Sequence, residues 1–139
     1  MANTVRDWMN DLVVFVDPNS TITEALGMMR RRYVNNLIAK KTKESPDYGI
    51  ITSIDICDKI VAQGRDPSKV TVREIMSTPL ITVTTDMTIV ECATVMKDRR
   101  IHHLPVTDDN ETVVGMISAN DFLIVAEQLG HGNGERTLH

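Results

Sequence analysis

Apolar and polar positions along the chain follow one order of spacings, and that order occurs twice. Leu12 to Val16 and Leu80 to Val83 are short apolar runs rich in β-branched residues, which predicts a strand in each. Thr21-x-x-Glu24 and Thr88-x-x-Glu91 follow. In this pattern hydroxyl and carboxylate each satisfy a free backbone group at a helix start. Behind them Ile22, Ala25, Leu26, Met29 and Tyr33, and then Ile89, Cys92, Ala93 and Met96, fall at helical spacing and read as core. Strands are expected next at Val34 to Ala39 and Ile101 to Val106. Polar turns around Ser45-Pro46-Asp47 and Asp108-Asp109-Asn110 lead to further strands at Gly49 to Thr52 and Val113 to Ser118. A last helix opens at Asp55 or Asp121. The predicted order is β-α-β-β-α, twice.

The repetition extends to identities. At an offset of 67 (4 to 71), Thr4-Val5-Arg6 meets Thr71-Val72-Arg73, Met9 meets Met76, Thr21-Ile22 meets Thr88-Ile89, and Glu24 meets Glu91. After a loop one residue longer in the first half, the offset becomes 66. Gly49, Ile51 and Asp55 then meet Gly115, Ile117 and Asp121, and Thr52 meets Ser118. The expected division is repeat 1 over 3–61, a polar Gly/Pro linker over 62–70, repeat 2 over 71–128 and a flexible tail over 129–139. A copy of about 60 residues is marginal as a core on its own. An α/β (α+β) arrangement with the two copies packed sheet to sheet, in pseudo-two-fold symmetry, would bury both apolar faces and leave two related clefts.

Composition removes several function classes. With 42% hydrophobic and 24% charged residues the 139-residue chain has an ordinary globular make-up. The net charge of −4 argues against nucleic acid as the main partner. No apolar run approaches the roughly 18–20 residues of a membrane span, and the charged N-terminus does not resemble a signal peptide. Cys57 and Cys92 sit in apolar helical patterns without metal spacing, as expected of reduced cysteines in a cytoplasmic protein. No G-x-S-x-G, HExxH, P-loop or C-x-x-C is present, so no enzyme is expected. Adjacent strand residues such as His102 and His103 point to opposite faces, and no metal site is expected there.

The openers V-R-D-W-M and V-R-E-I-M, the passage R-R-I-H-H-L-P-V, and the closers G-I-I-T-S-I-D and G-M-I-S-A-N-D resemble the CBS domain, named for cystathionine β-synthase. The tandem pair resembles a Bateman module over about residues 3 to 128. The resemblance implies a stand-alone regulatory module that binds an adenosine-containing ligand in the clefts between repeats and signals to a partner in trans. AMP, ADP or ATP are the leading ligands, with S-adenosylmethionine or NAD as others, and no cofactor is required. It also implies a homodimer paired through helices, burying Met28, Met29, Val95 and Met96. The alternative is a ligand-free dimerisation or interaction module.

By position, the resemblance assigns ribose and phosphate contacts to Thr52 with Asp55 and to Ser118 with Asp121. A carboxylate at a strand-to-helix turn can accept two hydroxyl hydrogen bonds, and a hydroxyl beside a helix N-terminus suits a phosphate. The same position also suits Asp55 and Asp121 as helix caps, and both roles stay open. Arg99, Arg100, His102 and His103 are expected to face the Asp55 cleft, with His102 as the phosphate contact. In repeat 1, Asn35 and Asn36 replace the histidines and Ile38 replaces Pro105, so the Asp121 cleft would depend on Arg31, Arg32 or Lys40. The Thr52–Asp55 cleft is therefore expected to take the phosphorylated ligand. The implied adenine lining falls on Val16, Asn36 and Ile38, and on Thr82 and Pro105.

Overall fold

The fold is taken from a computed structural model that describes residues 3–131. The described residues fall into two compact units, one over 13–80 and the other over 3–12 with 81–131. Each unit holds a three-stranded sheet whose first strand runs parallel, and whose last strand runs antiparallel, to the central one.

In the 13–80 unit, β1 (Phe15–Val16) pairs with β2 (Asn36–Ala39) through Phe15–Ile38 and Val16–Ala39, and β2 pairs with β3 (Gly49–Thr52) from Asn36–Thr52 to Ala39–Gly49. The parallel pair requires a crossover, which α2 (Ile22–Arg32) supplies. Thr21 caps α2 as the sequence predicts: its Oγ1 accepts the Glu24 N–H at 3.1 Å while Glu24 Oε1 accepts the Thr21 N–H at 2.8 Å. Ile22, Ala25 and Met29 turn inward onto Val16, Leu37, Ala39 and Ile51. The helix stops at Tyr33, which takes a left-handed conformation (φ 56°).

The other unit repeats the design. β4 (Val83–Thr84), β5 (His103–Thr107) and β6 (Val113–Ser118) form the sheet. The crossover is α5 (Ile89–Arg99), capped by Thr88 and Glu91 and ended by left-handed Arg100 (φ 55°). Its core gathers Ile89, Cys92, Met96, Leu104, Val106 and Ile117. The β-α-β-β-α order is thus present in both halves. The outer strands β1 and β4 are shorter than the apolar runs that predict them, because only two residues of each pair with the central strand.

The openers add an element the alternation does not predict. Val5–Trp8 forms α1 and Val72–Ile75 forms α4, each a single turn closed by its own Thr4/Asp7 or Thr71/Glu74 capping box. They are exchanged between the two sequence repeats. The opener of repeat 1 completes the core made by the body of repeat 2, with Val5 fully buried against that core and its N–H bonded to the Met87 carbonyl. The opener of repeat 2 completes the body of repeat 1: Val72 and Ile75 are buried there, and Ser77 exchanges two backbone bonds with Ile50. The repeats read along the sequence are therefore not the packing units.

The first half closes with α3 (Ser53–Ile56), which continues in π winding over Cys57–Val61, where the Ala62 N–H reaches the Cys57 carbonyl. The second half closes with α6 (Asp121–His131), regular throughout. Of the tail expected over 129–139, Leu129 to His131 belong to α6, and residues 132–139 lie outside the described residues. Among the described residues no helix is long and apolar enough to cross a membrane.

Candidate functional site

Each closing strand delivers a hydroxyl and, three residues later, a carboxylate. In the 13–80 unit Thr52 ends β3 and is the N-cap of α3, so Asp55 is the third helical residue rather than the cap itself. The Thr52 N–H donates to Asp55 Oδ2 at 2.9 Å, and the Asp55 N–H donates to Thr52 Oγ1 at 3.4 Å. In the other unit the Ser118 N–H donates to Asp121 Oδ2 at 2.7 Å, and Ser118 Oγ donates to the same oxygen at 3.3 Å. Both carboxylates are half-buried and held in one orientation by the same device. One oxygen, Oδ2, serves the helix start in each, so any further contact of the group falls to Oδ1.

A polar side chain flanks each pair from the central strand. Register puts Asn36 opposite Thr52 and His103 opposite Ser118. The Asn36 amide donates to Asn35 Oδ1 at 3.2 Å. His103 is half-buried and its strand neighbour His102 is exposed. Burial, reinforced by His102, pulls the His103 imidazole below its usual value of 6.5, while the Asp121 carboxylate acts in the opposite direction. His103 thus shares electrostatics with Asp121. His102, which the sequence favours as the contact, is the outward member of the pair.

The remaining predicted site residues divide by burial. Val16, Ile38 and Pro105 are buried: Val16 and Ile38 in the 13–80 unit, Pro105 in the other. Thr82 is exposed ahead of β4. Arg31, Arg32, Lys40, Arg99 and Arg100 are exposed, and Arg100 also carries the left-handed end of α5. Met29 and Met96 are buried in their own cores, with the half-buried Met28 and Val95 packed beside them. The outward apolar residues are Val90, Leu123, Ile124 and Leu129 on α5 and α6. An open depression of about 370 Å³ between these helices is lined by Ile89, Ala93, Phe122 and Leu129, among others, and by none of the predicted site residues.

The residue that sequence reasoning missed is Lys59. Its Nζ lies 3.1 Å from Asp55 Oδ1 and donates to the Ile75 carbonyl at 2.7 Å. The i,i+4 spacing of Asp55 and Lys59 signals the ion pair. The carbonyl belongs to the exchanged opener, 16 residues away, which no local pattern brings into reach.

Comparison with known proteins agrees with this architecture. The CBS domain family model matches twice, over residues 5–62 and 72–127. An uncharacterized protein of Methanopyrus kandleri, MK0525, is 37% identical over 84% of this chain, which spans 59% of that protein's length. The CBS domain-containing protein YhcV of Bacillus subtilis is 31% identical, with 88% of this chain matched to 84% of that protein. Among solved structures, the CBS domain pair of protein MJ0100 in complex with 5′-methylthioadenosine and S-adenosyl-L-methionine superposes with a TM-score of 0.75. It is 30% identical and covers 88% of this chain and 94% of that one. Two matches in series on two sheets of the same design make this chain a member of the CBS domain family, as a tandem pair.

Proposed function

We propose that this protein is a regulatory CBS pair that binds an adenosine-containing ligand through the carboxylates of its closing segments and passes the bound state to a protein partner. What supports the reading most directly is Asp121. Its Oδ2 is held by Ser118 while Oδ1 has no protein partner among the described residues, and the group stands at the start of an eleven-residue helix. A fixed, half-buried carboxylate can accept hydroxyl hydrogen bonds from a ribose without first being ordered, and charge-assisted bonds are the stronger kind. A CBS pair of 30% identity is seen with two adenosine compounds. Adenine nucleotides remain the leading ligands, with S-adenosylmethionine and NAD beside them. The protein works in the cytoplasm as a homodimer, and the outward residues Val90, Leu123, Ile124 and Leu129 offer an apolar face for self-association.

Thermal denaturation with AMP, ATP, NAD and S-adenosylmethionine tests the reading. A ligand at a hundred times its Kd adds about 2.7 kcal/mol to the stability of the folded state. At least one of the four is expected to raise the melting temperature, with the rise lost in Asp121→Asn, which keeps an acceptor for the helix cap. No rise with any of them overturns the proposal.

A further inference from the structure

We infer that Lys59 latches the Asp55 carboxylate against a sugar, so that the chain takes up a single adenosine-containing ligand, at Asp121. The inference rests on the reading above that these carboxylates accept ribose hydroxyls, and it reverses the expectation that the Thr52–Asp55 pair is the better site.

The two carboxylates use Oδ2 alike and differ at Oδ1. Each gives Oδ2 to its capping hydroxyl residue, and each follows a strand whose partner carries a polar side chain opposite that residue. They differ at the position four residues on. In the first half this is Lys59, whose ammonium sits on Asp55 Oδ1 at 3.1 Å. In the second half, at the offset of 66, it is Val125, buried in the core and without a charge to offer.

The ammonium is itself anchored. Of its three donors one goes to Asp55 and one to the Ile75 carbonyl at 2.7 Å. The Asp55 side chain retains only 13% exposure. With both sites of Oδ2 used by Thr52, the two hydroxyls of a ribose can both bond Oδ1 of Asp55 only by displacing a charged donor held from its far side, whereas at Asp121 they meet an oxygen with no protein partner among the described residues. A neutral hydroxyl does not outcompete a charge-assisted bond of this kind. The closing helix differs in its winding as well: the first half departs from α winding over Cys57–Val61 and the second does not.

Isothermal titration of the full chain with AMP, and separately with S-adenosylmethionine, tests the latch. Wild type is expected to bind one equivalent, weakened at least tenfold by Asp121→Asn. Lys59→Met is expected to add a second equivalent, which disappears again in the double variant Lys59→Met with Asp55→Asn. Lys59→Gln, which keeps a donor for the Ile75 carbonyl and removes the charge from Asp55, guards against a folding effect and is expected to act like Lys59→Met. An unchanged stoichiometry in both Lys59 variants, two equal sites in wild type, or loss of the wild-type site with Asp55→Asn overturns the latch and leaves the adenosine reading standing. Absence of binding in wild type and every variant overturns both.

Discussion

The sulfur of Met9 rests against the backbone of Gly115, so close that a Cβ added there would lie 2.7 Å from it and 3.1 Å from the Asn10 carbonyl oxygen. The same relationship joins Met76 to Gly49, where the added carbon would lie 2.5 Å from the sulfur and 3.0 Å from Cγ. Each methionine follows an opener helix and each glycine lies in a closing strand, so the contact is how the exchanged opener seats on its sheet.

Alanine at the two glycines is therefore expected to destabilise unequally. At Gly49 only a flexible thioether must move, whereas at Gly115 a backbone carbonyl also stands in the way. Gly115→Ala is expected to cost about 1–3 kcal/mol and Gly49→Ala less, with Met76→Ala offsetting part of the second effect. Urea denaturation of the three variants measures the order.

Removing residues 1–12 is expected to loosen the second repeat, not the first. Val5 is fully buried in the core built on β4, β5 and β6, and its loss leaves a cavity there. Amide hydrogen exchange checks this. Protection should fall over Leu104 to Val106 and Ile117 before it falls over Leu37 to Ala39 and Ile51, and a loss of protection confined to the first repeat would contradict the exchange.

His103 makes the fold sensitive to mild acid. Burial and His102 lower its folded value from 6.5, so below about that pH the unfolded chain binds the proton first. Stability from this group is complete above 6.5 and declines as pH falls through the window between the unfolded value and the lowered folded one. His103→Gln is expected to flatten the loss of melting temperature between about pH 7 and 5, and His102→Gln to flatten it less.

The cysteines should react in strict order. Cys57 is exposed, whereas Cys92 is buried and burial pushes its thiol up to about 11. At about pH 8, iodoacetamide is expected to label Cys57 in the native protein and Cys92 only after denaturation, as mass spectrometry of the peptides would show.

Much of this molecule is legible in local pattern. Thr21 with Glu24 and Thr88 with Glu91 mark the crossover helices because a capping box needs only residues three apart. The closing strands Gly49–Thr52 and Val113–Ser118 fall where their β-branched runs end. The opener helices carry the same Thr-x-x-acid signal and could have been found by it. What local pattern cannot give is partnership at a distance. The seating of Val5 beside Met87, and of Lys59 against Ile75, depends on which body each opener joins, and both bodies offer the same apolar alternation. Tyr33 and Arg100 end their helices in a left-handed conformation without the glycine that usually announces one, so those boundaries carry no sequence mark.

The acid of a Thr-x-x-acid or Ser-x-x-Asp pair folds back on its own helix start six times in the described residues, at Asp7, Glu24, Asp55, Glu74, Glu91 and Asp121. A carboxylate at the two closing positions thus has a structural use of its own, whether or not a ligand is bound. The aspartate by itself therefore does not mark a sugar site. On the latch proposed above, the mark is the neighbour four residues downstream, which takes the second carboxylate oxygen at Asp55 and leaves it open at Asp121.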